Sequence, residues 1–294
     1  MNGLMGLDSS RGLYLDIGNS RMTLAEEVEG SEAAVGSEGV ATKTSPEARA
    51  HSKAQQGSEG AETQPWSILD SIPLSPSPGQ SAKTLIDLLQ QQPHHRPIIA
   101  ASVRQDITDQ LTKTLPKPIH WIRRESFRPF ISTYETPNTL GLDRILTAWG
   151  AWNYHQKPAI IIDCGTACTI DAISISPTKN PLFQGGVIMP GIRTLHASLR
   201  QATPELPPVP LSIPDTFPGK STQSCLEWGL NGFFADGVLA HIHRFRKKAG
   251  PIPILLTGGD ADLLSHWFDS FGLMGFHTDP YLIFRGMRQL PEQL

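Results

Sequence analysis

Two stretches, far apart in the chain, repeat one local device, and the repeat limits what the chain can fold into. Leu13-Tyr14-Leu15-Asp16-Ile17-Gly18-Asn19-Ser20 is an apolar run that delivers an Asp into a turn of Gly and a small hydroxyl residue. A strand-like run at residues 22–25 follows it. Residues 159–162 do the same: they read as a buried strand that runs into Asp163, Gly165 and Thr166. A second strand then carries Thr169 and Asp171. Glycine lets the backbone bend tightly and approach a ligand closely. The freed N–H groups and the hydroxyl can then face phosphate oxygens. Two such Asp-x-Gly-x-[Ser/Thr] hairpins predict two similar half-domains facing one nucleotide.

The 294 residues leave room for one large domain or two of ordinary size. A net charge of −3 makes no electrostatic case for nucleic acid or for an anionic membrane. The basic run at residues 241–248 is short and reads as the solvated end of a helix. Three cysteines, Cys164, Cys168 and Cys225, form no disulfide framework, which fits a reducing, cytoplasmic compartment. Cys164 and Cys168 lack a second Cys/His pair to complete a zinc site and read as small apolar filler. The sequence has no run of 18 apolar residues and no basic-then-apolar start, so neither a membrane span nor a signal peptide is expected.

Residues 1–11 read as a disordered leader. Strands are expected at about 13–17 and 22–27. Residues 29–65 are Gly, Ser, Ala, Glu and Gln with almost no branched apolar residue. They cannot bury enough surface to offset their ordering entropy, and read as a disordered insertion in a surface loop. Structure resumes near Trp66. Beyond it, a helix at 82–92, a strand at 98–102, a helix at 105–115 and a strand at 119–122 suggest α/β layering. Leu142, Ile145, Leu146 and Trp149 repeat at helical spacing and predict a helix from about Leu142. After the central hairpin come a strand at 183–190, a helix from Gly191 and a proline-rich loop at 204–218. One long helix is expected at 221–246, with Gly229, Gly232 and Gly237 available for close packing. A strand at 253–256 ends in Thr257-Gly258-Gly259-Asp260-Ala261, a third place where backbone can meet a nucleotide.

There is no G-x-x-x-x-G-K-[ST], and no protein-kinase Gly-rich loop with its catalytic signature. Asp143 and Arg144 stand side by side where the helix from Leu142 begins. In one reading Asp143 caps the helix and Arg144 is surface; this leaves Gly141 and Tyr134 unexplained. In the other, Asp143 is a general base and Arg144 holds anionic groups, as phosphoryl transfer to a hydroxyl requires.

These motifs, in this order, resemble the type III pantothenate kinases, within the acetate-kinase/Hsp70/actin-like ATPase superfamily. Residues 16–20 resemble the family's first phosphate motif. Tyr134 with Gly141-Leu142-Asp143-Arg144 resembles its pantothenate and catalytic motif, and residues 163–171 its second phosphate motif. Gly185-Gly186…Pro190-Gly191, Ser221-Thr222 and residues 257–261 are similar to its remaining conserved-type segments. The resemblance covers roughly 13–28 and 66–290.

The resemblance implies two ribonuclease-H-like (actin-like ATPase) half-domains with an ATP cleft between them, at 12–140 and 141–294. It implies ATP-dependent phosphorylation of pantothenate by a homodimer, with Mg²⁺ and a monovalent cation, K⁺ or NH4⁺. Asp16, Ile17, Gly18, Asn19, Ser20, Arg21, Met22, Thr23 and Thr166 would bind ATP, Asp16 also lying near Mg²⁺. Tyr134, Gly141, Leu142, Asp143, Arg144 and Thr222 would contact pantothenate, with Asp143 as proton acceptor. Asp163 would hold the monovalent cation. Ser20 stands where Thr is usual, and Ala25 where Gly often is; the insertion at 29–65 is unlike compact members. The rivals are a kinase for another small hydroxyl compound and a non-catalytic binding protein of the same fold.

Overall fold

The computed structural model describes residues 12–27, 66–74, 78–92 and 96–290. The expected leader, 1–11, and the whole of the expected insertion, 29–65, lie outside these residues. Ten strands form two five-stranded sheets. The first contains β1 (Leu13–Ile17), β2 (Arg21–Glu27), β3 (Trp66–Pro73), β4 (Ile98–Ser102) and β5 (Ile119–Trp121) in the order β3-β2-β1-β4-β5. The second contains β6 (Ala159–Cys164), β7 (Ala167–Ile175), β8 (Pro181–Pro190), β9 (Ile254–Thr257) and β10 (Phe276–Thr278) in the order β8-β7-β6-β9-β10. Counted within each half, the two orders are the same. In both, the second strand is antiparallel to its neighbours and the fourth and fifth run parallel to the first. This is the duplicated actin-like ATPase arrangement.

Strand periodicity places the side chains in layers. Leu13, Leu15 and Ile17 point outward, with Leu24, Ile98 and Ala100, onto α1 (Pro78–Gln91) and α2 (Gln105–Thr114). Ile160, Ile162 and Cys164 point outward onto α4 (Ile192–Ala202), α6 (Phe233–Ala249) and α7 (Ala261–Ser270). The alternate residues, Tyr14 and Ala25 from one sheet and Ala159, Ile161 and Leu255 from the other, face a shared core. That core is built around α3 (Leu142–His155) and α8 (Leu282–Arg288). The two helices cross so closely that a Cβ on Gly150 would collide with the Leu282 carbonyl, and one on Gly286 with that of Leu146. The result is five layers, with one helical layer common to both sheets.

The same alternation puts Asp16 on the inward face with Tyr14, and Asp163 on the inward face with Ile161. Both carboxylates therefore point into the space between the sheets, where α3 begins.

The helix expected at 221–246 is interrupted. It forms as α5 (Thr222–Glu227), a π-turn at Trp228–Gly232, and α6. The cause is Asn231, which is fully buried in the π-turn. Its amide nitrogen donates to the carbonyls of Pro210 and Ser212, and its oxygen pairs with His196 Nε2 at 2.7 Å. The extra residue in the turn aims this side chain at the proline-rich loop. Of the three glycines expected to allow close packing, only Gly232 does, because a Cβ there would collide with a ring. Gly229 has open space beside it, Gly237 has only Met189 near, and Gly232 lies against the Trp228 ring of its own turn.

Candidate active site

Three elements bring the acidic side chains together. β1 supplies Asp16, β6 supplies Asp163, and the first turn of α3 supplies Asp143. They lie within electrostatic reach of one another. Burial pushes the Asp16 carboxyl up to about 8, with the charges of Asp143 and then Asp163 adding to it. Burial likewise raises Asp163 to about 7, with Asp143 and Asp171 contributing. The charges acting on these two groups are other carboxylates. Surplus negative charge on hard oxygen donors suits a hard cation. Among the described residues no three ligating side chains close on one point. A cation here would therefore share its coordination between one or two Asp side chains, phosphate oxygens and water, as Mg²⁺ commonly does.

Asp143 is not the cap of α3: the cap position is Gly141, which has no capping side chain. The Asp143 carboxylate accepts from the N–H of Arg144 at 2.8 Å, which sets its orientation. Gly141 thereby acquires a reason, because a Cβ there would collide with Asp143 Oδ1.

The two hairpin tips meet. Thr166 Oγ1 donates to Ser20 Oγ across the cleft at 2.8 Å. Around Asp16, the side chains of Ile17 and Met22 are buried in the outer core, so only their backbone is available to a ligand. Thr23 and Arg21 turn toward β3: Thr23 Oγ1 is 3.3 Å from Ser71 Oγ, and Arg21 Nη1 donates to the Ser71 carbonyl at 2.9 Å. Gly18, Asn19 and Ser20 form the tip, with Asn19 and Ser20 exposed.

Beside the other hairpin, Gly191 N–H and Thr194 Oγ1 both donate to the Thr166 carbonyl, at 2.9 and 2.7 Å. The Asp260 N–H donates to the Cys164 carbonyl at 3.0 Å. Gly258 has φ +90°, and a Cβ there would collide with Asp163 Oδ1, so the position needs glycine on both counts. Asp260 also accepts from Arg193 Nε at 2.7 Å, a pair that motif reading did not single out. Cys164 and Cys168 face each other across β6 and β7, both buried with free thiols, as apolar filler would be.

Tyr134 packs against Phe183, with ring centroids 5.8 Å apart, and lies beside Gly185. Arg144 is buried, not on the surface. Its Nε and Nη2 donate to the two carboxylate oxygens of Asp171 at 3.0 and 2.5 Å, and its guanidinium lies over the Phe183 ring on which Tyr134 packs. Asp171, which the motif contains without a role attached, is thus the partner of a proposed substrate residue. An acid in an otherwise apolar strand was the available signal. Thr222 stands apart. It is exposed at the start of α5, and among the described residues no hydrogen bond joins it to this cluster.

Comparison with known proteins agrees with this geometry. The sequence profile of type III pantothenate kinases matches residues 12–244. A type III pantothenate kinase from Flavobacterium johnsoniae is 32% identical over 186 residues, covering 62% of this chain and 74% of that protein. One from Flavobacterium psychrophilum is 36% identical over 146 residues, covering 49% and 59%. A solved Campylobacter jejuni structure, described as a Baf family transcriptional activator, aligns over 94% of this chain and 95% of its own with a TM-score of 0.53. At 22% identity that likeness is one of fold. Duplicated sheets, paired Asp-Gly turns and a match across most of the chain lead to one conclusion: this protein belongs to the type III pantothenate kinase family.

Proposed function

We propose that the protein transfers the γ-phosphoryl group of ATP to the primary hydroxyl of pantothenate, the first step toward coenzyme A. The observation that carries this reading is the convergence of Asp16, Asp163 and Asp143 beside two phosphate-type turns that touch through Ser20 and Thr166. The turn at Gly18, through the backbone N–H groups of Asn19 and Ser20, and the Thr166 turn bind the ATP phosphates. Asp143 takes the proton of the acceptor hydroxyl as the oxygen attacks phosphorus. Tyr134, Gly141, Leu142 and Arg144 line the acceptor side. Asp16 holds Mg²⁺, in part through water, and Asp163 holds K⁺ or NH4⁺. Bound there, the cations would neutralise charge on the phosphates and offset the burial and mutual repulsion that raise both carboxyls.

The enzyme acts as a homodimer in the cytoplasm. Phe233 and Ile188 support the dimer, each being 63% exposed. Thr222 supports it too, being exposed and joined to the cluster by no hydrogen bond among the described residues. Among the described residues no helix is long and apolar enough to cross a membrane.

A coupled assay of ADP release with pantothenate and a panel of other small alcohols tests the reading. Pantothenate should give the highest kcat/KM, and turnover should need Mg²⁺ and be faster in potassium than in sodium. A higher kcat/KM for another alcohol would reassign the acceptor. Equal rates in sodium and potassium would remove the monovalent site. Light scattering at assay concentration tests the dimer, and a fully active monomer would refute it.

A further inference from the structure

Arg144 is the residue next to the base, yet its guanidinium points away from solvent. Only 7% of its side chain is exposed, and its partner Asp171 shows 1%. A guanidinium cannot shed its charge, so burying it without a counter-ion would be strongly unfavourable. Asp171 meets that need in a two-pronged geometry, Nε to Oδ2 at 3.0 Å and Nη2 to Oδ1 at 2.5 Å, which fixes the plane of the guanidinium as well as its position. The Phe183 ring lies 5.6 Å from Arg144 Cζ, and the Tyr134 ring packs on the same Phe183 with centroids 5.8 Å apart. The backbone makes room for this arrangement. Gly186 is the partner of Asp171 across β7 and β8, and a Cβ there would collide with Asp171 Oδ1. A connected series therefore runs from Asp171 on β7 through Arg144 on α3 and the Phe183 ring to Tyr134. Arg144 and Tyr134 are residues assigned to the acceptor.

We propose that Asp171 is a positioning residue for the acceptor substrate: it holds the Arg144 guanidinium, over the Phe183 ring on which Tyr134 packs, in the geometry that receives the acceptor beside Asp143. This rests on the pantothenate kinase reading. A purely structural ion pair is the competing account. Buried pairs of this kind often stabilise no better than apolar residues of the same size, so the pair's effect belongs in geometry more than in stability.

The test is steady-state kinetics of the full-length enzyme, with pantothenate and ATP varied in turn, on Asp171→Asn, Asp171→Glu, Arg144→Gln and the double variant Arg144→Gln/Asp171→Asn. Asp171→Asn keeps the shape but loses the charge. It should raise the pantothenate KM about ten- to a hundredfold, the effect of weakening one charged contact. The ATP KM should stay within about twofold of wild type, because ATP is held elsewhere. In the Arg144→Gln background the Asp171→Asn change should add no further rise, since the two act as a unit. Asp171→Glu keeps the charge and supplies a reading if the neutral variant does not fold. It too should raise the pantothenate KM, because the extra methylene displaces the guanidinium. An unchanged pantothenate KM in whichever of the two folds, an equal rise in both substrates' KM values, or full additivity with Arg144→Gln would overturn the proposal. If wild type prefers another alcohol, the assigned acceptor is wrong. The same comparison with that alcohol then tests the positioning role separately.

Discussion

The hairpin at Asp16 and the hairpin at Asp163 occupy the same place in matching sheets. Asp16 pairs with Thr23 across its hairpin and lies beside Ala101 of β4; Asp163 pairs with Thr169 and lies beside Thr257 of β9. Each turn is closed by a glycine N–H donating across it at 3.0 Å, Gly18 to Arg21 and Gly165 to Ala167. Their surroundings differ. Residues 19–21 are exposed, and they are tied to the neighbouring strand, where Leu74 N–H donates to the Ser20 carbonyl at 2.8 Å and Arg21 Nη1 donates to that of Ser71, with a longer 3.4 Å contact from Arg104 to the Asn19 carbonyl. The second turn is clamped by Gly191, Thr194, Gly258 and Asp260, because α4 and α7 both begin against it. A shared topology thus leaves one hairpin as an exposed flap tied to a neighbouring strand and makes the other a wall backed by two helix starts. Ligand-linked adjustment is expected in the first.

The sharpest test concerns the residue that belongs to neither hairpin. If ATP is held by the two turns and the acceptor proton by α3, Asp143→Asn should separate binding from turnover. General-base catalysis is typically worth about 10²–10⁴ in rate, so kcat should fall by that factor, or about 3–5 kcal/mol of barrier. ATP affinity and melting temperature should barely change. Turnover within a few-fold of wild type would mean that the base lies elsewhere.

The wall and the flap should then differ in tolerance to a single methyl group. Gly258→Ala demands a left-handed backbone and a collision with Asp163, and should cost about 1–3 kcal/mol in denaturant unfolding. At Gly18 a new Cβ would meet only the Arg21 carbonyl, 3.3 Å away, so Gly18→Ala should cost less than about 1 kcal/mol. Equal losses would erase the distinction between the hairpins.

Both carboxylates make a pH-dependent contribution of the same sign. In the fold Asp16 and Asp163 titrate at about 8 and about 7, against 3.8 for an ordinary aspartate. Between those limits the folded protein binds more protons than the unfolded chain, so stability falls as pH rises from about 4 toward 8. Thermal melts in chelator and sodium buffer should show a falling melting temperature from pH 5 to pH 8. Asp163→Asn should flatten part of that slope, and Mg²⁺ with potassium should flatten it in the wild type. A wild-type melting temperature that stays level in chelator would contradict the assigned crowding of carboxylates.

The smallest effect is expected at the contact between the hairpins. Ser20→Ala removes the acceptor of the Thr166 hydroxyl in an exposed, water-accessible place, and should cost no more than about 0.5–1.5 kcal/mol of stability. Its main trace should be a few-fold higher ATP KM. A loss as large as that of Gly258→Ala would show that the flap is held in place by this one contact.

Much of this was legible before any coordinates, for physical reasons that vary by element. The run 159–162 could only be a buried strand, and the stripe at Leu142, Ile145, Leu146 and Trp149 only a helix. Yet the stripe understates α3. Every residue from Leu142 to Trp152 except Asp143 is buried, because the helix has a sheet on either side. Periodicity reports one apolar face and has no way to announce a second sheet. The break at Trp228–Gly232 was equally hidden, since its cause is a buried Asn231 reaching a loop some twenty residues upstream in the chain. The same is true of Arg144, whose counter-ion is 27 residues away on another element.

By itself, then, the sequence determined the strands other than β3 and β10, the two Asp-Gly turns and, through the twofold alternation of a strand, that Asp16 and Asp163 share a face with their inward neighbours. It also marked Asp143 as the acid at the head of a helix. These are matters of local geometry, decided within a few residues. Tertiary structure alone decided that the two faces look at each other across α3, that their carboxylates crowd together, and that Arg144 is buried against Asp171 while Thr222 stands apart. Those outcomes depend on how sheets and helices stack, which minimises exposed apolar surface over the whole chain and leaves no period in any one stretch of it.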